Sequence, residues 1–351
     1  MQTTKNILVA PLNWGLGHAT RCIPIINALE NAGYTPILAS DGVALALLRK
    51  EFPHLLALEL PSYDVKYAKK ASDFLITILK QVPKIAKSVK AENKIINRWI
   101  DAYKLVGIVS DNRLGCYSKR VPSVIISHQL QVLAGKTTGL STYLHQYFIK
   151  KYKECWVPDV AGENNLSGKL GHLKNASFPV KYMGIISRFS PKEAPKVYDL
   201  LVLLSGPEPQ RTLLEELLKE QLKNYPKKVL FVSGVVEHKQ KTTTEGTITY
   251  CNFLTSEKLE QAILQSDLVL SRSGYTTVLD LAKLQKKAFF IPTPGQFEQE
   301  YLAKRLQGKS MIPMAKQDTF KVEMLSKAPL YKGFEAYDTS TNWDNLFQVF
   351  E

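Results

Sequence analysis

The sequence predicts an α/β chain made of two doubly wound parallel-sheet domains that face each other across a cleft. Three observations carry that expectation. Short apolar or β-branched runs alternate with amphipathic stretches from the start, the alternation stops in a loop-like stretch near mid-chain, and it restarts beyond it. A length of 351 residues also suits two domains, each large enough to bury its own core.

In the first half, residues 7–10, 35–39, 55–60, 105–110, 123–127 and 154–157 read as buried strands, with helices over 21–32 and 42–51. Strand, helix and strand in succession give a parallel sheet covered on both faces. Residues 170–196 are rich in Gly and Pro, as a linker is. Strands then recur at 200–204, 229–232, 248–250, 268–270, 288–291 and 311–312, with helices over 211–223, 257–265, 277–284 and 299–306. The predicted boundaries are 1–184 for the first domain, 185–196 for the linker and 197–333 for the second domain. Residues 334–351 form a tail whose Trp343, Leu346 and Phe347 lie on a helical period and fold back onto the first domain.

The composition, 45% hydrophobic with a net charge of +14, is that of a globular protein with a basic excess. Residues 1–196 hold 27 Lys and Arg against 13 Asp and Glu, so the excess lies in the first half. Without a polybasic tail, zinc-finger or RNP pattern, no nucleic-acid partner is expected. Ten of those cations fall in residues 63–104, among apolar residues at helical spacing. That stretch reads as a basic amphipathic helix or helix pair broken near Pro83. It is either a solvated helix face or a contact for an anionic membrane surface. Cys22, Cys116, Cys155 and Cys251 contain no C-x-x-C pair, and no apolar run approaches a membrane-spanning length. A cytoplasmic protein, peripheral at most, is expected.

In open α/β sheets, ligands bind beyond the carboxyl ends of the strands. The first strand exits through Asn13-Trp14-Gly15-Leu16-Gly17-His18-Ala19-Thr20-Arg21, where Gly15 and Gly17 let backbone approach an anion at the next helix N-terminus. An imidazole there, His18, is suited to general-base work near neutral pH. The pattern fails as a dinucleotide fingerprint because Thr20 stands at the third glycine position. Asp111, Asn112 and Arg113 leave the fourth strand, with Asp111 an alternative base. His128 and Gln129 leave the fifth and, with Asn112 and Arg113, are candidates for positioning an acceptor. In the second half, Ser205 and Gly206 with Arg211 nearby offer a phosphate cradle, although Pro207 and Pro209 remove two donors. Ser271, Ser273 and Gly274 form a hydroxyl-rich turn before a helix carrying Asp280. The next strand leaves toward Gln296, Gln299 and Glu300, side chains of the type that read sugar hydroxyls.

Residues 271–306 resemble the donor-binding half of the GT-B glycosyltransferases related to the bacterial enzyme that adds N-acetylglucosamine to the lipid-linked peptidoglycan precursor. The Trp14-Gly15-Leu16-Gly17-His18-x-x-Arg21 loop looks like a family-28-like branch of that superfamily. The resemblance implies two Rossmann-like domains and transfer of a sugar, with inversion, from a nucleotide-sugar, a UDP-sugar first among them, to a hydroxyl acceptor of the lipid-linked or cell-envelope kind. It implies phosphate contacts from Ser271, Ser273 and Gly274, a ribose contact from Asp280 where the family usually has Glu, and sugar contacts from Gln299 and Glu300 where it has Gln-Gln. It further implies nucleobase packing by Phe253 and Leu254 and a hinge arginine at Arg188. No Asp-x-Asp occurs, so neither metal nor cofactor is expected. A nucleotide-sugar hydrolase of the same fold and a non-catalytic basic scaffold or RNA-binding protein remain as rival readings.

Overall fold

The computed structural model describes residues 5–63, 74–235, 237–334 and 340–351, leaving aside the side chains of residues 74–82. The chain divides into two compact units, residues 1–187 with 338–351 and residues 188–337.

The first unit holds seven strands: β1 (Asn6–Pro11), β2 (Thr35–Ser40), β3 (Ala57–Glu59), β4 (Leu105–Asp111), β5 (Ser123–Ile126), β6 (Glu154–Val157) and β7 (Val180–Tyr182). Their order is β3-β2-β1-β4-β5-β6-β7, and every neighbouring pair is parallel. Ile7 and Val9 project into one core with Ala19, Cys22, Ile26 and Leu29 of α1 (Gly17–Asn31) and with α2 (Gly42–Glu51). Leu8 and Ala10 project to the opposite face, against Ile96 and Ile100 of α3 (Phe74–Ala102). Alternate residues of one strand thus serve two cores, which is why the strands read as continuous apolar runs. The first core is completed by α9 (Trp343–Phe347) and the turn after it, with Leu346, Phe347, Val349 and Phe350 buried.

The second unit's sheet, β10-β11-β9-β8-β12-β13, comprises β8 (Tyr198–Leu203), β9 (Val229–Val232), β10 (Thr242–Glu245), β11 (Ile248–Cys251), β12 (Ser266–Ser271) and β13 (Ala288–Phe290). Only the β10–β11 pair is antiparallel. Its helices are α5 (Gln210–Leu222), α6 (Ser256–Leu264), α7 (Tyr275–Lys283) and α8 (Phe297–Gly308). The doubly wound α/β class read from the sequence is the observed one.

Four local expectations need correction. The segment over 63–104 is not broken at Pro83: α3 runs through it. Pro83 is exposed, so the carbonyl deprived of an N–H partner stands on the water side. Residues 311–312 form no strand. The contact there is a single bridge between Phe290 and Met314, because the run is too short for a ladder. The stretch over 170–196 read as loop-like contains β7, which ends before the linker bounds of 185–196. Between β5 and β6 lies a helix the periodicity did not reveal, α4 (Thr138–Ile149). Among the described residues, no helix is long and apolar enough to cross a membrane.

Candidate active site

In both sheets the strand order reverses beside the first strand of the unit. That switch point opens a crevice at the carboxyl edge, where ligands bind in this architecture. In the first sheet it lies between β1 and β4. Gly15, at φ +75°, turns the chain from β1 toward α1 in a left-handed conformation that favours glycine. Asn13 pins this loop to α2: its amide donates to Asp41 at 3.0 Å and its carbonyl oxygen accepts from the Ala44 N–H. His18 then falls in the first turn of α1, opposite Asp111 at the end of β4.

The carboxylate of Asp111 is fully buried and serves three side chains, one of them the Cys22 thiol, 3.9 Å from Oδ2. Arg21 donates from Nε to Oδ2 at 2.8 Å and from Nη2 to Oδ1, and His18 Nδ1 lies 2.9 Å from Oδ1. Burial alone raises the Asp111 pKa. The opposing charges of Arg21 and His18 and their hydrogen bonds outweigh it and bring it down to about 2. His18 Nδ1 faces both Asp111 Oδ1 and, at 3.0 Å, Arg21 Nη2; an ionised carboxylate can only accept, which favours the Nδ1–H form and leaves the Nε2 lone pair as the base. The His18 side chain keeps 13% exposure. On the far side of the guanidinium, Arg21 Nη1 donates to His128 Nδ1 at 3.3 Å, which places the His128 proton on Nε2. His145 of α4 lies behind His128. Burial first, and then His128, push its pKa down to about 4, and its Nε2 is 3.3 Å from Ser127 Oγ.

This geometry changes two assignments. Asp111, read as an alternative base, is buried, held at a low pKa and bonded to Arg21 and His18, an environment that disfavours taking up a proton. Arg113 is turned inward. Its buried guanidinium donates to Glu92 Oε1, to Asp41 Oδ1 at 2.8 Å and to the Pro61 carbonyl at 2.6 Å, tying α3, α2 and the β3 exit together. Asn112 takes the left-handed conformation beside it at φ +62°, and Gln129 is half-buried after β5. Arg21 emerges as the hub of the site. Its spacing of three residues from His18 on one helix was the available signal.

The second switch point lies between β8 and β12. There Ser205 and Gly206 form an exposed loop, Gly206 at φ +111°. Ser271 and Ser273 are buried, and Gly274 caps the N-terminus of α7. Ser273 Oγ donates to the Gln299 carbonyl at 2.8 Å. The Gln299 side-chain oxygen accepts from the Thr293 N–H, and Glu300 accepts from the Gly295 N–H, both at 2.9 Å. The two side chains expected to read a sugar thus also shape the β13 exit loop, which leads to Gln296, the cap of α8. Arg211 is not free to cradle phosphate: Glu208 and Glu215 both hold its guanidinium. Close by is Arg272, which sequence reasoning passed over. It is buried and bonded only to uncharged acceptors, the carbonyls of Gln210, Ile291 and Pro292 and the Gln317 side chain. Desolvation lowers its pKa to about 10. Arg188 Nη1 donates to Ser256 Oγ at 2.8 Å, at the start of α6, two residues after the half-buried Phe253 and Leu254. Asp280 is half-buried on α7.

Residues 207–334 match the glycosyltransferase family 28 C-terminal domain. No curated protein matches the chain. Among solved structures, MurG from Acinetobacter baumannii is similar over 94% of this chain and 93% of its own, at 15% identity and a TM-score of 0.56. UGT89C1 from Arabidopsis thaliana, complexed with quercetin, is similar over 99% of each chain at 11% identity and a TM-score of 0.63. LpCGTa in complex with UDP is similar over 96% of this chain and 91% of its own, at 13% identity and a TM-score of 0.59. The second unit thus matches the family 28 C-terminal domain, and the two-unit fold along nearly the whole chain is that of these solved structures.

Proposed function

We propose that the chain transfers a sugar, with inversion, from a UDP-sugar to a hydroxyl group of a lipid-linked or cell-envelope glycan acceptor, and that His18 is the base. The observation that carries this reading is the buried Asp111 carboxylate fixing His18 with Nε2 open. In the step, Nε2 takes the acceptor proton and the acceptor oxygen bonds to the anomeric carbon. The bond from that carbon to the diphosphate breaks, and its electron pair leaves with the nucleoside diphosphate. Support for the donor comes from LpCGTa, solved with UDP, and from the hydroxyl turn at Ser271, Ser273 and Gly274. The basic Arg272 behind that turn suits a developing diphosphate charge. We further propose that the reaction needs no metal. Turnover abolished by EDTA and restored by magnesium or manganese overturns this part.

A panel of UDP-, GDP- and dTDP-sugars screened by thermal shift tests the donor. A donor at one hundred times its dissociation constant stabilises the native state by about 2.7 kcal/mol. Stabilisation by UDP-sugars supports the reading, and a flat response to all three sinks it. Free sugar released at full rate without any acceptor assigns the same site to hydrolysis instead.

A further inference from the structure

The sequence places the basic excess in the first half, much of it in residues 63–104, which lie partly outside the described residues. A second concentration of lysine lies within the second unit, around a cavity of about 660 Å³. Its walls include Asp199 at the start of β8, Asp267 at the start of β12 and Lys287 just before β13. The strands are parallel, so this amino edge is opposite the loops at Ser205 and Ser271, about 17 Å away along β12. The cavity is therefore separate from the second switch point. Lys196 precedes β8, Lys286 lies between α7 and β13, and both reach the carbonyl of Leu264, the last residue of α6. Lys286 Nζ donates to that oxygen at 3.0 Å, and Lys196 Nζ donates to it at 3.0 Å and to the Ser266 carbonyl at 3.2 Å. One oxygen thus holds two nitrogens at hydrogen-bonding distance, which makes them near neighbours. A helix C-terminus offers roughly half a negative charge, enough to attract one lysine and too little to offset two. Among the described residues, no carboxylate forms an ion pair with either lysine. Lys286 keeps only 7% exposure. Burial, and then Lys196, push its pKa down to about 7 against the opposing pull of Asp267.

We propose that this cavity binds a small organic phosphate monoester, with the phosphate at Lys196 and Lys286 and an apolar body beside Tyr225 and Leu268. The charge at the lysine pair selects the phosphate. Two cations without a carboxylate call for a dianion, and a phosphate monoester is dianionic above its second pKa, about 6. Its oxygens give each ammonium an acceptor of its own, and the added negative charge restores the proton that burial takes from Lys286. The apolar wall selects the body: Tyr225, Leu268, Val322 and Leu325 line the cavity, whose volume is that of a small-molecule site. The other charged groups around it are Lys227, Lys287, Asp199, Asp267 and Glu323. Asp199 is occupied in accepting from the Lys228 N–H at 2.8 Å, and the other four are exposed, where water and salt screen them. The proposal does not rest on the transferase reading, because binding here needs neither donor nor turnover.

The test is isothermal titration of phenyl phosphate into the full chain, beside benzoate as a monoanion with the same ring. The wild type is expected to bind phenyl phosphate with a dissociation constant of about 1 mM or below, and benzoate about tenfold more weakly. From about pH 7 to about pH 9 the ligand stays dianionic while unoccupied Lys286 loses its proton. Affinity should therefore fall about tenfold or more over that range. Lys196→Gln should bind about tenfold more weakly at neutral pH and keep the wild-type melting temperature, because Lys196 is exposed. Lys286→Met should bind as weakly and lose the fall with pH. Should that buried substitution prevent folding, Lys196→Gln still decides. Absence of wild-type binding, unchanged binding by Lys196→Gln, or benzoate bound as tightly as phenyl phosphate overturns the proposal. Phenyl phosphate bound elsewhere on the chain survives both substitutions, which counts against it in the same way.

Discussion

Replacing Asp111 by Asn tests the logic of the site at its centre, because it keeps the shape and removes the charge. Holding this carboxyl at about 2 rather than 3.8 contributes about 2.5 kcal/mol of stability at neutral pH. The substitution also takes the Asp111 carboxylate away from the buried Arg21 guanidinium. Breaking a buried pair by removing one partner costs about 3 to 5 kcal/mol in total. In a unit of this size that lowers the melting temperature by about 6 to 20 °C. The chemistry fails for a separate reason. An amide nitrogen in place of Oδ1 donates to His18 Nδ1 and moves the imidazole proton onto Nε2. In place of Oδ2 it confronts the Arg21 Nε–H with a second donor. Loss of the base lowers kcat by about 10²- to 10⁴-fold. The assay is release of nucleoside diphosphate from the UDP-sugar that stabilises the wild type, run beside urea unfolding at the same pH. A folded Asp111→Asn chain with wild-type kcat refutes the assignment of His18 and Asp111. A variant with unchanged stability refutes the account of Arg21.

Three further outcomes follow from the same geometry. The Asp111 pKa is depressed on folding, so its stabilisation is complete above the unfolded value of 3.8 and disappears as pH falls through about 2. The stability gap between wild type and Asp111→Asn should therefore narrow between those two pH values in urea titrations. Arg113→Met leaves Glu92 and Asp41 buried without their cation and should destabilise the chain by about 3 to 5 kcal/mol. An effect on acceptor KM with unchanged stability would restore the role first read for Arg113. Arg211→Ala should change UDP affinity by less than about threefold in titration calorimetry, because Glu208 and Glu215 already occupy that guanidinium. A tenfold loss would reinstate it as a phosphate ligand.

What the sequence made legible were the strands of two parallel sheets and the loops at their carboxyl ends, because buried runs such as residues 7–10 and 105–110 have no competing interpretation. Which charged residue in each loop is free was not legible. Arg113 stands beside Asp111, yet its partners are 21 and 72 residues distant, and no local pattern announces them. Arg211 is different: Glu208 and Glu215 lie three before and four after it, a spacing that forecasts pairing along a helix and went unused. Arg272 looked like a filler between two serines, and only its burial shows that it knits the exits of β12 and β13 to the start of α5. Helix α4 escaped because periodicity searches assume apolar residues face inward, and here most of the inward residues are polar.

The return of residues 343–350 to the first unit has a consequence in time. Phe350 packs so closely over Gly107 that there is no room for a side chain at that glycine, and with Phe347 it seals one face of the sheet made from residues 6–182. During synthesis, the first sheet emerges well before the residues that close it, whereas the second sheet needs nothing beyond residue 334 for its own core. The half made first is therefore finished last, and it waits with an uncovered apolar face while the whole second unit is added. Until Phe347 and Phe350 arrive, Tyr34, Trp156 and Gly107 lack their aromatic cover on that face.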